Sequence, residues 1–430
     1  MNRRHFLKQS AALGAGVWVT GVQRGYGQEK SPNAKINVGH IGVAGMRGAD
    51  HLLAMSGQNQ VALCDVDEKH LEIGGAKLPN AARYHDFRVM LEKEKGLDCV
   101  VISTPDHIHA PAGVMAMRLG RHLYTEKPLA HTVHEVRLMM DLAAERKLQT
   151  QMGTQIHAGD NYRRVVELVQ AGAIGKIGEV HVWLGATQWT ASGLPKEGPP
   201  PPPGLHWDLW LGPAEERPYS NRYHPQKWRC YWNFGGGHLA DMGCHYTDLP
   251  FWALKLRHPL SAEAEGPEVD PHGAPPWLVV RWTFPARGEL LPVKLTWYHG
   301  EKYPPQMTDG KLGDWKGAGV LFVGDRGMIV SNYAQHRLLP EVDFKDFKRP
   351  EPSIAKSPGH HQEWIEAIRG GRPALCNFDY AGPLAETVLL GNVSFRVGKK
   401  LEWDAKSVKA SNCPEADRFI RKEYRKGWAL

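Results

Sequence analysis

The sequence predicts an α/β protein, with a doubly wound parallel-sheet domain followed by an α+β domain on a large, open, mostly antiparallel sheet. Three observations carry that expectation. Short β-type runs alternate with helical patterns over residues 35–125; a glycine-rich turn follows the first run; and farther along the runs become aromatic and alternating.

In order, Ile36 to Ile41, Val61 to Cys64, Cys99 to Ile102 and His122 to Tyr124 read as strands, and Ala49 to Met55, Phe87 to Glu94, Ala110 to Leu119 and Val133 to Ala144 as helices. Strictly alternating elements of this kind favour parallel pairing with right-handed crossovers. After a helix near Tyr162 to Gln170 come Val180 to Leu184, Leu278 to Phe284 and Val293 to Tyr298, whose alternation suits a sheet with one face buried. Pro199 to Pro203, flanked by Gly198 and Gly204, lacks amide donors and favours a stiff polyproline loop. His360 to Arg396 reads as two helices, and Lys399 to Leu430 as a polar surface wrap. The expected organisation is a leader over 1–27, a dinucleotide-type domain over 35–153, a substrate domain over 154–345, and C-terminal helices and tail over 346–430 packing back on both.

The 430-residue length supports two or three domains, and 42% hydrophobic with 23% charged residues excludes disordered and fibrous classes. Six cysteines without a C-x-x-C pair make neither a disulfide scaffold nor a zinc ribbon; pairing of Cys230 with Cys244 stays open. The net charge of +7 owes four positive residues to the first 27, and without Arg3, Arg4, Lys8 and Arg24 there remain 49 basic and 46 acidic residues with no basic tract. Nucleic acid is therefore not expected as a partner. The leader has Arg3-Arg4 followed by Phe6-Leu7-Lys8 and a short apolar run, Ala11 to Val22, too short to span a bilayer. It resembles a twin-arginine export signal, with a mature start near Gln28 and a periplasmic or otherwise exported protein as the expectation. No stable membrane span is expected elsewhere.

The first strand runs into Gly42-Val43-Ala44-Gly45-Met46-Arg47-Gly48. A tight glycine turn at a helix start lets backbone amides approach a pyrophosphate, as in the Rossmann arrangement, although Ala44 replaces the second glycine of G-x-G-x-x-G. Asp65 ends the second strand 23 residues beyond Gly42, near the spacing of the acid that binds adenosine ribose hydroxyls. Its charge would repel a 2′-phosphate, which favours NAD over NADP. Thr104-Pro105-Asp106-His107-Ile108-His109 and Glu126-Lys127-Pro128 follow later strands, where a ligand crevice forms at the carboxyl edge. Lys127 is either a solvated charge or a cation placed to polarise a substrate oxygen, and Pro128, in a fixed turn with a cis bond as one option, would aim it. Gly235-Gly236-Gly237-His238 leads into a helix on which Asp241, His245 and Asp248 share a face. A carboxylate beside a histidine orients it as a general base; a core histidine and a metal site of His238, Asp241 and His245 are the competing readings. Our expectation is that no metal is bound.

These motifs, in this order, resemble the Gfo/Idh/MocA family (glucose-fructose oxidoreductase, inositol dehydrogenase and MocA-like proteins) over most of residues 35–400. The resemblance implies NAD as cofactor, with Gly42, Gly45, Met46, Arg47, Asp65, Thr104, Pro105, Asp106, His109, Glu126 and Lys127 lining its site. It implies Lys127, Asp241 and His245 as the catalytic trio, a pocket in the second domain, and oligomerisation of like chains through that domain's sheet. The Met46-Arg47-Gly48 turn is similar to that of NAD-dependent glycosidases related to the family. Trp207, Arg229, Tyr231 and His238 are the expected substrate contacts.

The chemistry expected is removal of a sugar, cyclitol or glycoside hydroxyl proton by His245, oriented by Asp241, while Lys127 stabilises the alkoxide and hydride passes to the nicotinamide. Export through the twin-arginine machinery carries a folded protein with its cofactor seated, so a tightly held dinucleotide whose redox state is restored each cycle is expected. That leaves three readings: an oxidoreductase with a second substrate, a redox-neutral glycoside hydrolase working by oxidation and elimination, and a catalytically retired sugar-binding protein on the same fold.

Overall fold

The computed structural model describes residues 35–185, 188–195 and 198–430, so the leader over 1–27 lies outside the described residues. Strands β1 (Asn37–Ile41), β2 (Asn59–Cys64), β3 (Ala82–Tyr84), β4 (Cys99–Ile102), β5 (His122–Thr125) and β6 (Thr150–Met152) form one sheet in the order β3-β2-β1-β4-β5-β6. Every pairing in it is parallel. Strand β4 is buried along its whole length, as a central strand covered on both faces must be.

The connecting helices are α1 (Gly45–Ala54), α2 (Glu68–Lys77), α3 (Phe87–Lys93), α4 (Asp106–Arg118) and α5 (Val133–Glu145). Helices α1 and α4 begin four residues earlier than periodicity suggested, because their first turns are the glycine turn and the polar Asp106-His107 step. Periodicity also passed over α2, which contains Gly74 and Gly75, and over the three-residue strands β3 and β6. The α2 start is set by Asp67, whose side chain accepts from the Lys69 amide at 3.0 Å. Thr132 and Glu135 form a reciprocal capping box on α5.

The second domain contains α6 (Asp160–Gln170), β7 (Ile177–Leu184), α7 (Trp207–Leu211), α8 (Gly237–Ala253), β8 (Ser261–Glu265), β9 (Leu278–Phe284), β10 (Val293–His299), α9 (Pro305–Thr308), β11 (Gly319–Gly324), β12 (Gly327–Ser331) and β13 (His336–Leu339). After them come α10 (His360–Ile368), α11 (Phe378–Val397), β14 (Leu401–Asp404), β15 (Lys409–Ala410) and α12 (Asp417–Ile420). The sheet has nine strands, β13-β12-β11-β7-β10-β9-β8-β14-β15, antiparallel except at the parallel β7–β10 pair. The segment after Lys399, expected to be only a surface wrap, thus supplies two edge strands, Leu401 and Trp403 being buried.

Helices α8 and α11 pack against this sheet, α6 packs on α8, and their apolar sides join the β7–β11 interior in one core with residues of the first domain. The C-terminal segment reaches both sheets. Trp364 of α10 packs edge-on against Tyr124 of β5 at 5.7 Å and donates its indole N–H to the Gln149 carbonyl. Glu386 of α11, fully buried, accepts from Trp403 and pairs with Arg137 of α5 and His258. Pro199 to Pro203 is an exposed segment without regular structure. All six cysteines are free and buried, so Cys230 and Cys244 do not pair. No helix among the described residues is long and apolar enough to cross a membrane.

Candidate active site

The carboxyl ends of β1, β2, β4 and β5 meet at one edge of the parallel sheet, and the sequence-expected cofactor residues lie there. Gly42 has φ +82°, and a Cβ on it would come within 2.8 Å of the Ser103 carbonyl. A Cβ on Gly48 would come equally close to the Gly42 carbonyl, so this glycine lets α1 lie directly on the turn. Gly45 opens α1 with nothing above its Cα, and Met46 is 74% exposed at the rim. Asp65 accepts from the Val43 amide at 3.0 Å, which fixes the acid beside the turn. Thr104 has a buried hydroxyl with no hydrogen-bond partner among the described residues, and Pro105 leads into α4. The open cradle, the adjacent acid and the unpartnered hydroxyl fit a dinucleotide.

Behind the cradle lies a buried charge cluster. Glu126 accepts from Gln155 at 2.8 Å and contacts His51 at 3.0 Å and Arg47 at 3.3 Å. Burial opposes its ionisation, but His51, Arg47 and Lys127 hold its carboxyl well below the usual range. Asp106 has the reverse balance: burial pushes it up to about 7, only partly countered by Arg229 and Lys127. His109 departs from its expected role. Its ring nitrogens lie 2.8 Å from the Pro128 carbonyl and 3.0 Å from the Thr104 carbonyl, so it links two turns of the crevice rather than facing into it.

Lys127, after β5 and joined to Pro128 by a cis peptide bond, donates to the Asp241 carboxylate at 2.6 Å and to its carbonyl. The two side chains are 11% and 13% exposed. Asp241 lies one turn into α8, whose start requires a positive φ of 63° at Gly237, packed against Ala274. Its other contacts are the Trp189 indole at 2.7 Å and Arg229 at 3.3 Å. Burial alone would raise this carboxyl, yet Lys127 and Arg229 hold it well below the ordinary value. With both oxygens taken by donors, Asp241 is a poor metal ligand, and the competing metal reading of His238, Asp241 and His245 loses its support.

His245 follows one turn later. The sequence suggested that Asp241 orients it, but Asp241 points to Lys127 instead, and Asp248 bonds His157 at 2.9 Å and Tyr380 at 2.7 Å. The His245 Nδ1 has no partner among the described residues. Burial, reinforced by the nearby Lys127 charge, lowers the ring to about 3, so it is neutral at ordinary pH. Tyr333, stacked on Tyr246, flanks it at 6.4 Å.

Of the expected substrate contacts, Arg229 joins the site, its guanidinium lying over Trp189 and Trp228. His238 accepts from the Trp189 amide at 3.0 Å and thus supports the wall of the site. Trp207 and Tyr231 belong elsewhere: Trp207 stacks on Trp210 and Tyr231 packs on Tyr223, in an aromatic cluster of their own. Sequence reasoning missed Trp189, His51 and Gln155. No motif surrounds them, and their roles arise only from tertiary proximity.

A crevice of this kind, whose lysine pairs with an aspartate of the second domain beside a neutral histidine, defines a two-domain NAD-binding oxidoreductase. Residues 36–154 match the family model for the oxidoreductase NAD-binding Rossmann fold, and residues 164–291 that for the C-terminal alpha/beta domain of the same family. The chain belongs to the Gfo/Idh/MocA oxidoreductase family. Among curated proteins it is 29% identical over 204 residues to a glycosyl hydrolase family 109 protein of Shewanella pealeana, covering 41% of this chain and 44% of that protein. It is also 29% identical over 205 residues to an alpha-N-acetylgalactosaminidase of Shewanella oneidensis, with the same coverage. The chain thus spans less than half the length of these relatives. Among solved structures, the WlbA dehydrogenase of Bordetella pertussis in complex with NADH and UDP-GlcNAcA aligns with a TM-score of 0.62 at 17% identity, over 86% of this chain and 99% of that one. The aldose-aldose oxidoreductase of Caulobacter crescentus aligns with a TM-score of 0.55 at 17% identity, over 86% and 100%.

Proposed function

We propose that the protein oxidises a hydroxyl of a sugar, cyclitol or glycoside and keeps its NAD through the cycle. The observation carrying this reading is the buried Lys127–Asp241 ion pair with neutral His245 one helical turn beyond it. Bound in the glycine cradle and against Asp65, NAD supplies the hydride acceptor. His245 takes the hydroxyl proton at its unpartnered ring nitrogen, which requires the neutral ring that burial maintains. Lys127 holds the substrate oxygen as negative charge develops there, and Asp241 fixes the lysine's direction while balancing its charge. The Trp189 face and Arg229 form a wall suited to sugar C–H surfaces and hydroxyls. Retention of cofactor accords with twin-arginine export, which we propose as the route to the periplasm.

A second reading draws on the glycosyl hydrolase relatives. Oxidation of a hydroxyl acidifies the C–H beside the new ketone, loss of that proton expels the glycosidic oxygen, water adds, and the hydride returns. No net oxidant is consumed. The experiment is to measure NAD(H) per chain after dialysis and to offer aryl glycosides without any acceptor. About one NAD(H) per chain with aryl release supports the hydrolase; retained NAD(H) with turnover only when a second carbonyl substrate is present supports the oxidoreductase. A chain that neither retains nor rebinds NAD would sink both readings.

A further inference from the structure

The nucleotide side of the molecule holds a second group of side chains with chemistry of its own. Asp67 and His70 lie at the start of α2, and His224 comes from the loop between α7 and α8. One potential ligand atom from each residue lies within 4.8 Å of the others. We propose that Asp67, His70 and His224 bind one divalent transition-metal ion of the zinc type.

The spacing is that of ligands around a gap rather than of a finished hydrogen-bond network. Asp67 uses Oδ1 to cap α2, while its Oδ2 faces His224 Nε2 at 3.9 Å, beyond hydrogen-bond length. His70 Nδ1 lies 3.6 Å from Asp65 Oδ1, so a second carboxylate stands beside the ring. The two imidazole centroids are 6.0 Å apart. Two imidazoles and one carboxylate make a donor set suited to zinc, with a fourth position for water. The three side chains are 14%, 29% and 13% exposed, so the ion would be sheltered yet reachable.

The site also has a structural purpose. Its residues join two stretches that already meet: Glu68 donates its amide to the Gly204 carbonyl and His206 donates to the Val66 carbonyl, each at 2.9 Å. An ion there would fasten the second-domain segment to the loop that follows Asp65. A neighbouring group, Glu68, His85 and His206, has its ligand atoms within the same limit. It is more open, with Glu68 53% and His206 39% exposed, and serves as an internal control.

The test uses untagged full-length protein stripped with a chelator and titrated with Zn²⁺ and Co²⁺. We expect one equivalent of Zn²⁺ per chain, visible ligand-field absorption with Co²⁺, and a rise in melting temperature on adding Zn²⁺. His70→Ala, His224→Ala and Asp67→Asn should each weaken Zn²⁺ binding at least about tenfold. Asp67→Asn retains an oxygen that can cap α2, so its loss of binding would report the ligand rather than a fold defect. His85→Ala and His206→Ala should leave the affinity unchanged. The proposal is overturned if the wild-type chain takes up no ion, if the His70→Ala/His224→Ala double variant binds as well as wild type, or if binding is lost only with His85 and His206. None of these readouts depends on catalytic turnover, so the proposed function can fail without it.

Discussion

Lys127 and Asp241 are 114 residues apart in the chain, and the proposed chemistry rests on the buried pair they form. Asp241 is the counter-charge to the Lys127 amine in this sheltered crevice, and Lys127 and Arg229 hold the Asp241 carboxyl well below its ordinary value. Lys127→Met keeps most of the aliphatic stem and removes the charge. The expected result is loss of turnover by at least about a hundredfold with NAD still bound, measured by single-turnover absorbance of the nicotinamide and by cofactor content. Residual turnover near wild type would remove Lys127 from the mechanism. The neutrality of His245 belongs to the same scale: a histidine at about 3 cannot produce an acid limb near 6.5 in the free enzyme's pH profile.

At the scale of elements, the cradle depends on how closely α1 approaches the end of β1. Gly48 is the contact point, and an added methyl would meet the Gly42 carbonyl at 2.8 Å. Backbone cannot retreat there as a flexible side chain could, so Gly48→Ala should open the turn. We expect NAD affinity to fall at least tenfold, about 1.4 kcal/mol, while melting temperature without cofactor drops by only a few degrees. Equilibrium dialysis with radiolabelled NAD measures the first and calorimetry the second; unchanged affinity would mean that the turn accommodates the methyl. Much of this element was legible in sequence, since a glycine turn after a β-type run and an acid at the next strand end are local patterns. The three-residue strands β3 and β6 were not, because so short a segment has no period to detect and is held by its neighbours' ladders.

For the molecule as a whole, buried histidines set the response to acid. Burial pushes His40, His107, His245, His299, His360 and His361 down to about 3. In the unfolded chain each would take a proton near 6.5, so below that pH the unfolded state binds more protons and folding loses stability. Their contribution is fully present above about 6.5 and declines as the pH falls toward 3. Asp106, pushed up to about 7, opposes them, since its penalty grows as the pH rises from about 4 to 7, and so does His70, raised by its Asp65 neighbour. Six groups outweigh these two. Stability between about pH 6 and 5 should fall several times more steeply than the roughly 1.4 kcal/mol per pH unit of a single proton. Urea titrations of the cofactor-free protein at stepped pH check this, and a flat profile over that window would show that these rings are reached by water.

The sequence by itself determined the alternation of elements, the glycine turn with Asp65 beyond it, and the residue types of the candidate site, Lys127, Asp241 and His245. Each is written in short-range spacing, because backbone periodicity and turn chemistry act over a few residues. Only the tertiary structure decided the partners: Asp241 turns to Lys127 and Trp189 rather than to His245, Asp248 leaves for His157, and Trp207 and Tyr231 withdraw into the aromatic cluster. A buried charge takes whichever donors desolvation brings within about 3 Å, and those donors come from segments whose distance along the chain carries no information about their distance in space.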